Sequence, residues 1–167
     1  TRLDVSGETT TPHGLAFNAD GTKMFVVKKE GTIIGYNLST GFDLDSTVTD
    51  GADLDVSGTT QRIRDVEFNP DGTKMFVRFF KDNTDGVTYS FIDEYNLSTP
   101  YDASTGTYAG DSERCHLNTG STSNPGHNPF DLHFSSDGMK FFFANRGVTD
   151  NETDYDRIYG FRSYTSY

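Results

Sequence analysis

The sequence predicts an all-β fold made of three copies of one antiparallel sheet. Three observations lead there. Nearly the same nine residues occur three times: FNADGTKMF from residue 17, FNPDGTKMF from 68 and FSSDGMKFF from 134. Two further anchors recur in the same order. LDVSG stands at 3–7 and 54–58, and IIGYNLST at 33–40 matches IDEYNLST at 92–99, with a fainter echo in RIYGFRSY at 157–164. The composition is that of strands and tight turns, with 14 Phe, 9 Tyr, 17 Gly and no Trp in 167 residues; large rings sit well on a pleated surface and glycine supplies its turns.

Each unit reads as four short strands. In the first, residues 14–18 form strand A, with Leu15 and Phe17 on one face by the period of two. Asp20-Gly21 turns the chain, because glycine accepts the positive φ that a tight hairpin needs. Residues 22–27 form strand B. Residues 32–38 form strand C, where Ile34, Tyr36 and Leu38 alternate, and residues 54–56 form strand D. No helical period interrupts the pattern. The Asp residues of the repeated turns, Asp20, Asp71 and Asp137, lack the oxygens at alternate positions that a calcium loop requires, so they read as hairpin residues.

A four-stranded unit of about 50 residues is the size of a propeller blade. The predicted fold is therefore a β-propeller region spanning 1–167 as one domain, with units at about 1–53, 54–116 and 117–167. The stretch from Leu3 to Phe42, with the ends Thr40-Gly41-Phe42-Asp43 and Thr99-Pro100-Tyr101-Asp102, resembles the propeller repeat of marine phage and marine bacterial secreted and structural proteins. The third unit, NPFDLHFSSDGMKFFFANRG, is nearer the related surface-layer and lactonase-like propellers. The resemblance implies a propeller in a secreted or virion-associated protein. It implies no reaction, because the shared residues are turn and core residues.

Closed propellers have roughly four to eight blades, so three units make a partial ring, completed by a second chain or by the rest of a longer protein. Residues 3–5 read as an outer strand without a sheet of its own, and the third unit lacks an outer strand. An unpaired edge invites a partner, and the expected partner is a second copy. The chain opens on Thr1 with no signal-peptide pattern, which reads as a processed or excised piece.

Length variation is concentrated in one kind of loop. Eleven positions separate Phe25 from Tyr36, but nineteen separate Phe76 from Tyr95 and Phe142 from Phe161. The B–C and D–A loops leave from the same end of a meander, and rigid scaffolds carry function on such loops. The expected recognition surface comprises 79–90, 118–129 and 144–156. Its candidate contacts are Phe79, Phe80, Lys81, Asp82, Arg146 and Tyr155, with a glycan or cell surface as ligand; the two Phe rings would either stack on a sugar or close the rim of the core. Asp150, Glu152, Asp154 and Asp156 alternate and would share one face of a strand, an arrangement able to collect Ca²⁺, although a solvated acidic loop explains them as well. Asn37, Asn96 and Asn151 head N-x-S/T sequons, of consequence only in a glycosylating host.

The remaining chemistry is sparse. With 25 acidic and 14 basic residues the net charge is −11, which disfavours nucleic acid and anionic membrane. One cysteine, Cys115, forms no internal disulfide. His13, Arg64 and Phe130 hold equivalent places before strand A and share no chemistry, so His13 reads as a structural or loop residue. No nucleophile elbow, zincin motif, phosphate loop or CxxC pair occurs, and no catalytic residue or cofactor is assigned. The expected function is a non-catalytic structural or binding module, extracellular or on a virion. The alternatives are a filament-forming extracellular protein and a lactonase-like hydrolase or lyase.

Overall fold

The computed structural model describes residues 2–56, 61–82, 88–110, 115–116, 128–135, 140–146 and 157–162. They form antiparallel sheets and one short 3-10 turn, Ala103–Thr105. The first sheet contains β1 (Pro12–Phe17), β2 (Lys23–Lys28), β3 (Thr32–Leu38), β4 (Val48–Asp50) and β5 (Leu54–Asp55). The second contains β6 (Gln61–Phe68), β7 (Lys74–Asp82), β8 (Thr88–Leu97), β9 (Gly106–Tyr108) and β10 (Cys115–His116). The third contains β11 (Asn128–Phe134), β12 (Lys140–Arg146) and β13 (Arg157–Arg162). Each is a meander through its first three strands, and in the first two sheets the remaining two short strands both pair with the third.

The outer strand departs from the sequence expectation. It is broken in two, so that β4 pairs with one end of β3 and β5 with the other. In the second sheet β9 and β10 divide β8 in the same way. The break in the first sheet lies at Gly51, whose N–H still reaches Gly35 O at 2.9 Å. β5 lies where the sequence puts strand D of the first unit, on the edge of β3. Residues 3–5 pair with no strand among the described residues.

The repeated turns have one construction. Asn18 Oδ1 accepts from Lys23 N–H, and Asp20 Oδ1 accepts from the N–H and hydroxyl of Thr22. Asn69, Asp71, Thr73 and Lys74 repeat the pattern. These bonds stabilise the ionised carboxylate and hold Asp71 below its ordinary pKa. Gly72 adopts φ +71°, and a Cβ there would stand 2.2 Å from the ring of Tyr101. The YNLST loop thus folds back on the hairpin of its own sheet, and Gly21 with Phe42 does the same. Tyr101 and Phe42 themselves have φ of 53° and 59°. Losing the two hydrogen bonds of Asp71 in Asp71→Ala is expected to cost about 1 kcal/mol, read as a lower urea midpoint at an unchanged slope.

The core lies between sheets. One face of the first sheet, Phe25, Val27 and Ile33, packs on Ile63, Val66, Phe68, Met75 and Val77 of the second. The opposite face of the second, Phe76 and Ile92, packs on Leu132, Phe134 and Phe143 of the third. The two contacts use the same device. Phe68 sits 4.4 Å from Phe25, centroid to centroid, and Phe134 sits 4.4 Å from Phe76. In each case the last ring of a first strand meets the second-strand ring of the preceding sheet.

Candidate functional site

The first strand of every sheet carries a bulge at the same place. Register slips between Pro12 and Leu15 in β1, between Ile63 and Asp65 in β6, and between Phe130 and Leu132 in β11. A bulge re-aims side chains and breaks the ladder locally, and here it does two things.

First, it brings β1 and β6 together. Gly14 lies so close to β6 that a Cβ on it would meet Asp65 Oδ1 at 2.6 Å. Next to this approach the bulged residues meet: Arg64 Nη1 lies 3.2 Å from His13 Nδ1 and 3.3 Å from Nε2, so it donates to whichever nitrogen lacks a proton. The Arg64 guanidinium also lies over the Phe80 ring, 5.4 Å from its centre, and Arg78 lies 5.1 Å from the same ring, within cation–π range. Burial, followed by the charge of Arg64, pushes the His13 pKa down. The His13 ring is therefore expected to titrate below 6.5 in an NMR pH series, and Arg64→Leu to move that midpoint back up.

Second, the bulge frees a backbone donor between the second and third sheets. Leu132 N–H donates to Asp65 Oδ2 at 2.9 Å, while Asp65 Oδ1 accepts from Val66 N–H at 3.1 Å. Glu67 follows on the same strand, with Oε1 3.6 Å from His133 Nδ1 of the third sheet. Burial, with the neighbouring Asp65 charge, pushes the Glu67 pKa up to about 7.

The cation cluster stands at the end of the sheets where the starts of β1, β6 and β11 meet the ends of β2, β7 and β12. That is the end from which the B–C and D–A loops leave. Of the candidates there, neither Phe ring is available to stack on a ligand. Phe79 is 2% exposed and stacked on Phe91, and Phe80 is 8% exposed beneath the two guanidinium groups. The period of two explains it: β7 continues to Asp82, so the two rings are strand residues on opposite faces of the sheet, not loop residues. Lys81 and Asp82 pair with Gln61 and Thr88, and Arg146 with Asn128. Tyr155, Asp150, Glu152, Asp154 and Asp156 lie outside the described residues, as does Asn151. Asn37 and Asn96 are exposed at equivalent strand positions. Among the described residues no group of three His, Cys, Asp or Glu side chains could hold a metal ion, and no helix is long and apolar enough to cross a membrane.

Sequence reasoning placed His13 and Arg64 at equivalent positions but missed that they touch. The signal was available in their spacing of 51 residues, the repeat itself, which sets the two bulges side by side.

No family model matches the chain, and no curated protein matches it. Among solved structures, the soluble aldose sugar dehydrogenase of Escherichia coli in its apo form aligns with a TM-score of 0.49 at 19% identity. The alignment covers 80% of this chain and 37% of the dehydrogenase. Similarity at this level assigns no activity here.

Proposed function

We propose that the chain is a three-blade segment of a β-propeller, acting outside a cell or on a virion as a non-catalytic module that presents one end of its inner strands to a ligand. The observation that carries this reading is the identical lock between successive sheets, Phe25 to Phe68 and Phe76 to Phe134. A contact repeated from one sheet to the next is how blades are arrayed around an axis. The resemblance to marine secreted and virion repeats supplies the location. At the ligand end, Arg64 makes a basic spot beside a neutral His13 on a chain of net charge −11, and a planar guanidinium suits a carboxylate. An acidic glycan fits that chemistry. An array of neutral and uronate- or sialate-bearing glycans tests it. Binding confined to the acidic members and lost in Arg64→Ala supports the reading; binding to none of them, or binding that ignores Arg64, removes it.

A second reading, a hydrolase of the lactonase-like class, draws on one observation: an inner-strand carboxyl held near pH 7 beside a histidine, the range suited to general acid–base work. A lactone panel separates the two readings. Turnover abolished by Glu67→Gln would favour the enzyme, and no turnover with either protein would leave the binding module.

A further inference from the structure

Three of the four large apolar side chains most exposed on the described surface stand at positions whose described equivalents in the repeat are buried or partly buried. Leu15 is 57% exposed, whereas its equivalents Val66 and Leu132 are 0% and 1% exposed. Phe142 is 37% exposed, whereas its equivalents Phe25 and Phe76 are 2% and 9% exposed. Phe42 is 61% exposed, whereas its equivalent Tyr101 is partly buried against the core between the first two sheets. Leu15 and Phe42 belong to the outer side of the first sheet and Phe142 to the outer side of the third. Within one chain they do not cover each other.

What each position lacks is known from the two internal contacts. Phe68 rests on Phe25 and Phe134 on Phe76. Among the described residues, the ring that meets Phe17, the matching ring of the first sheet, is Phe42 of its own sheet, 5.3 Å away. Phe142 is the ring that would receive Phe17. The backbone shows the same complementarity. β5 fills the outer edge of β3, with Leu54 opposite Ile33 and Asp55 opposite Thr32, and β10 fills that of β8 with Cys115 opposite Ile92. Among the described residues nothing pairs with the outer edge of β13. Leu3 and Val5, the repeat equivalents of Leu54 and Val56, already lie against the outer face of the first sheet. By register they stand where an outer strand meets Ile158 and Arg157 of a preceding third sheet.

We infer that the outer face of the first sheet docks on the outer face of the third sheet of a second copy, with Phe17 on Phe142, Leu15 covered, and residues 3–5 added to the edge of β13. This rests on the propeller reading and names its partner. Only a sheet of this repeat presents the required rings and edge in register, and a second copy supplies both. Two copies related by a two-fold axis close both contacts at once and give six sheets, a number within the propeller range.

Sedimentation velocity and light scattering on the 167-residue chain at tens of micromolar test the inference. The expected mass is twice 18.5 kDa. Leu15→Asp and Phe142→Asp each change a residue exposed in the single chain, so circular dichroism should stay the same while the dimer is weakened at least tenfold. An equimolar mixture of the two variants keeps one unaltered contact and should regain association. A monomer at all concentrations would overturn the inference and leave the faces to further sheets of a longer protein. A dimer indifferent to both changes would also overturn it, and so would mass that climbs without limit, because the pair would not be closed. None of these results depends on ligand binding, so failure here is distinguishable from failure of the glycan reading.

Discussion

Phe68→Ala should lower the stability of the chain by about 3–5 kcal/mol, or roughly 10 °C in melting temperature. The ring is 6% exposed and lies between Phe25 of the preceding sheet and Tyr101 of its own. Truncation therefore removes transfer free energy and leaves a cavity between β2 of the preceding sheet and the Tyr101 loop of its own, which backbone ladders prevent from collapsing. The equivalent change Phe17→Ala should cost only about 1–2 kcal/mol in dilute solution, because among the described residues this half-buried ring touches Phe42 and the outer cluster but no preceding sheet. Thermal melts of both variants at sub-micromolar concentration give the contrast. Equal losses would mean that the first and second units are not environmentally different, and the repeated-lock account would fail. At concentrations where the second copy binds, the cost of Phe17→Ala should rise toward that of Phe68→Ala, because the docked Phe142 supplies the missing ring.

That contrast marks the limit of what the sequence shows. Phe17, Phe68 and Phe134 are equivalent as letters, and the letters placed them on first strands facing a neighbour. Strand β3 could be read to its ends, since Ile34, Tyr36 and Leu38 alternate and Ser39-Thr40 stop the run. The outer strand could not, because Val48–Asp50 is short and polar-flanked, and its pairing depends on a kink at Gly51 with no periodic signature. The fates of Phe79 and Phe80 were hidden for another reason. Two adjacent rings before a charged run look like a loop tip, and only the length of β7 buries them, one on each face of the sheet. Bulges leave no composition signal at all. The skipped residues, His13-Gly14, Arg64 and Asp131, share no side-chain chemistry, so the meeting of His13 with Arg64 emerged only from the packing of β1 on β6.

Glu67→Gln should stabilise the chain above neutral pH, on the order of 2 kcal/mol at pH 8, and do little at pH 4. The sign follows from the raised pKa. Between 4.5, the ordinary value, and about 7 in the folded chain, the native state holds a proton that the unfolded state has lost. Stability is therefore fully retained below 4.5 and falls as pH rises through 7. The cause is burial first, then the charge of Asp65 on the same strand. Asp65 accepts the Leu132 and Val66 N–H groups, and its charge disfavours a second one on Glu67. His133 opposes the shift when charged, but it is 79% exposed at 3.6 Å, too solvated to compensate. Glutamine keeps the shape and removes the ionisation, so the wild-type decline in urea midpoint from pH 5 to 8 should flatten in the variant. A parallel pair of curves would place the titrating group elsewhere. A positive result would mean that the contact between the second and third sheets loosens in alkaline solution while the contact between the first and second, where Ala16 occupies the position of Glu67, does not.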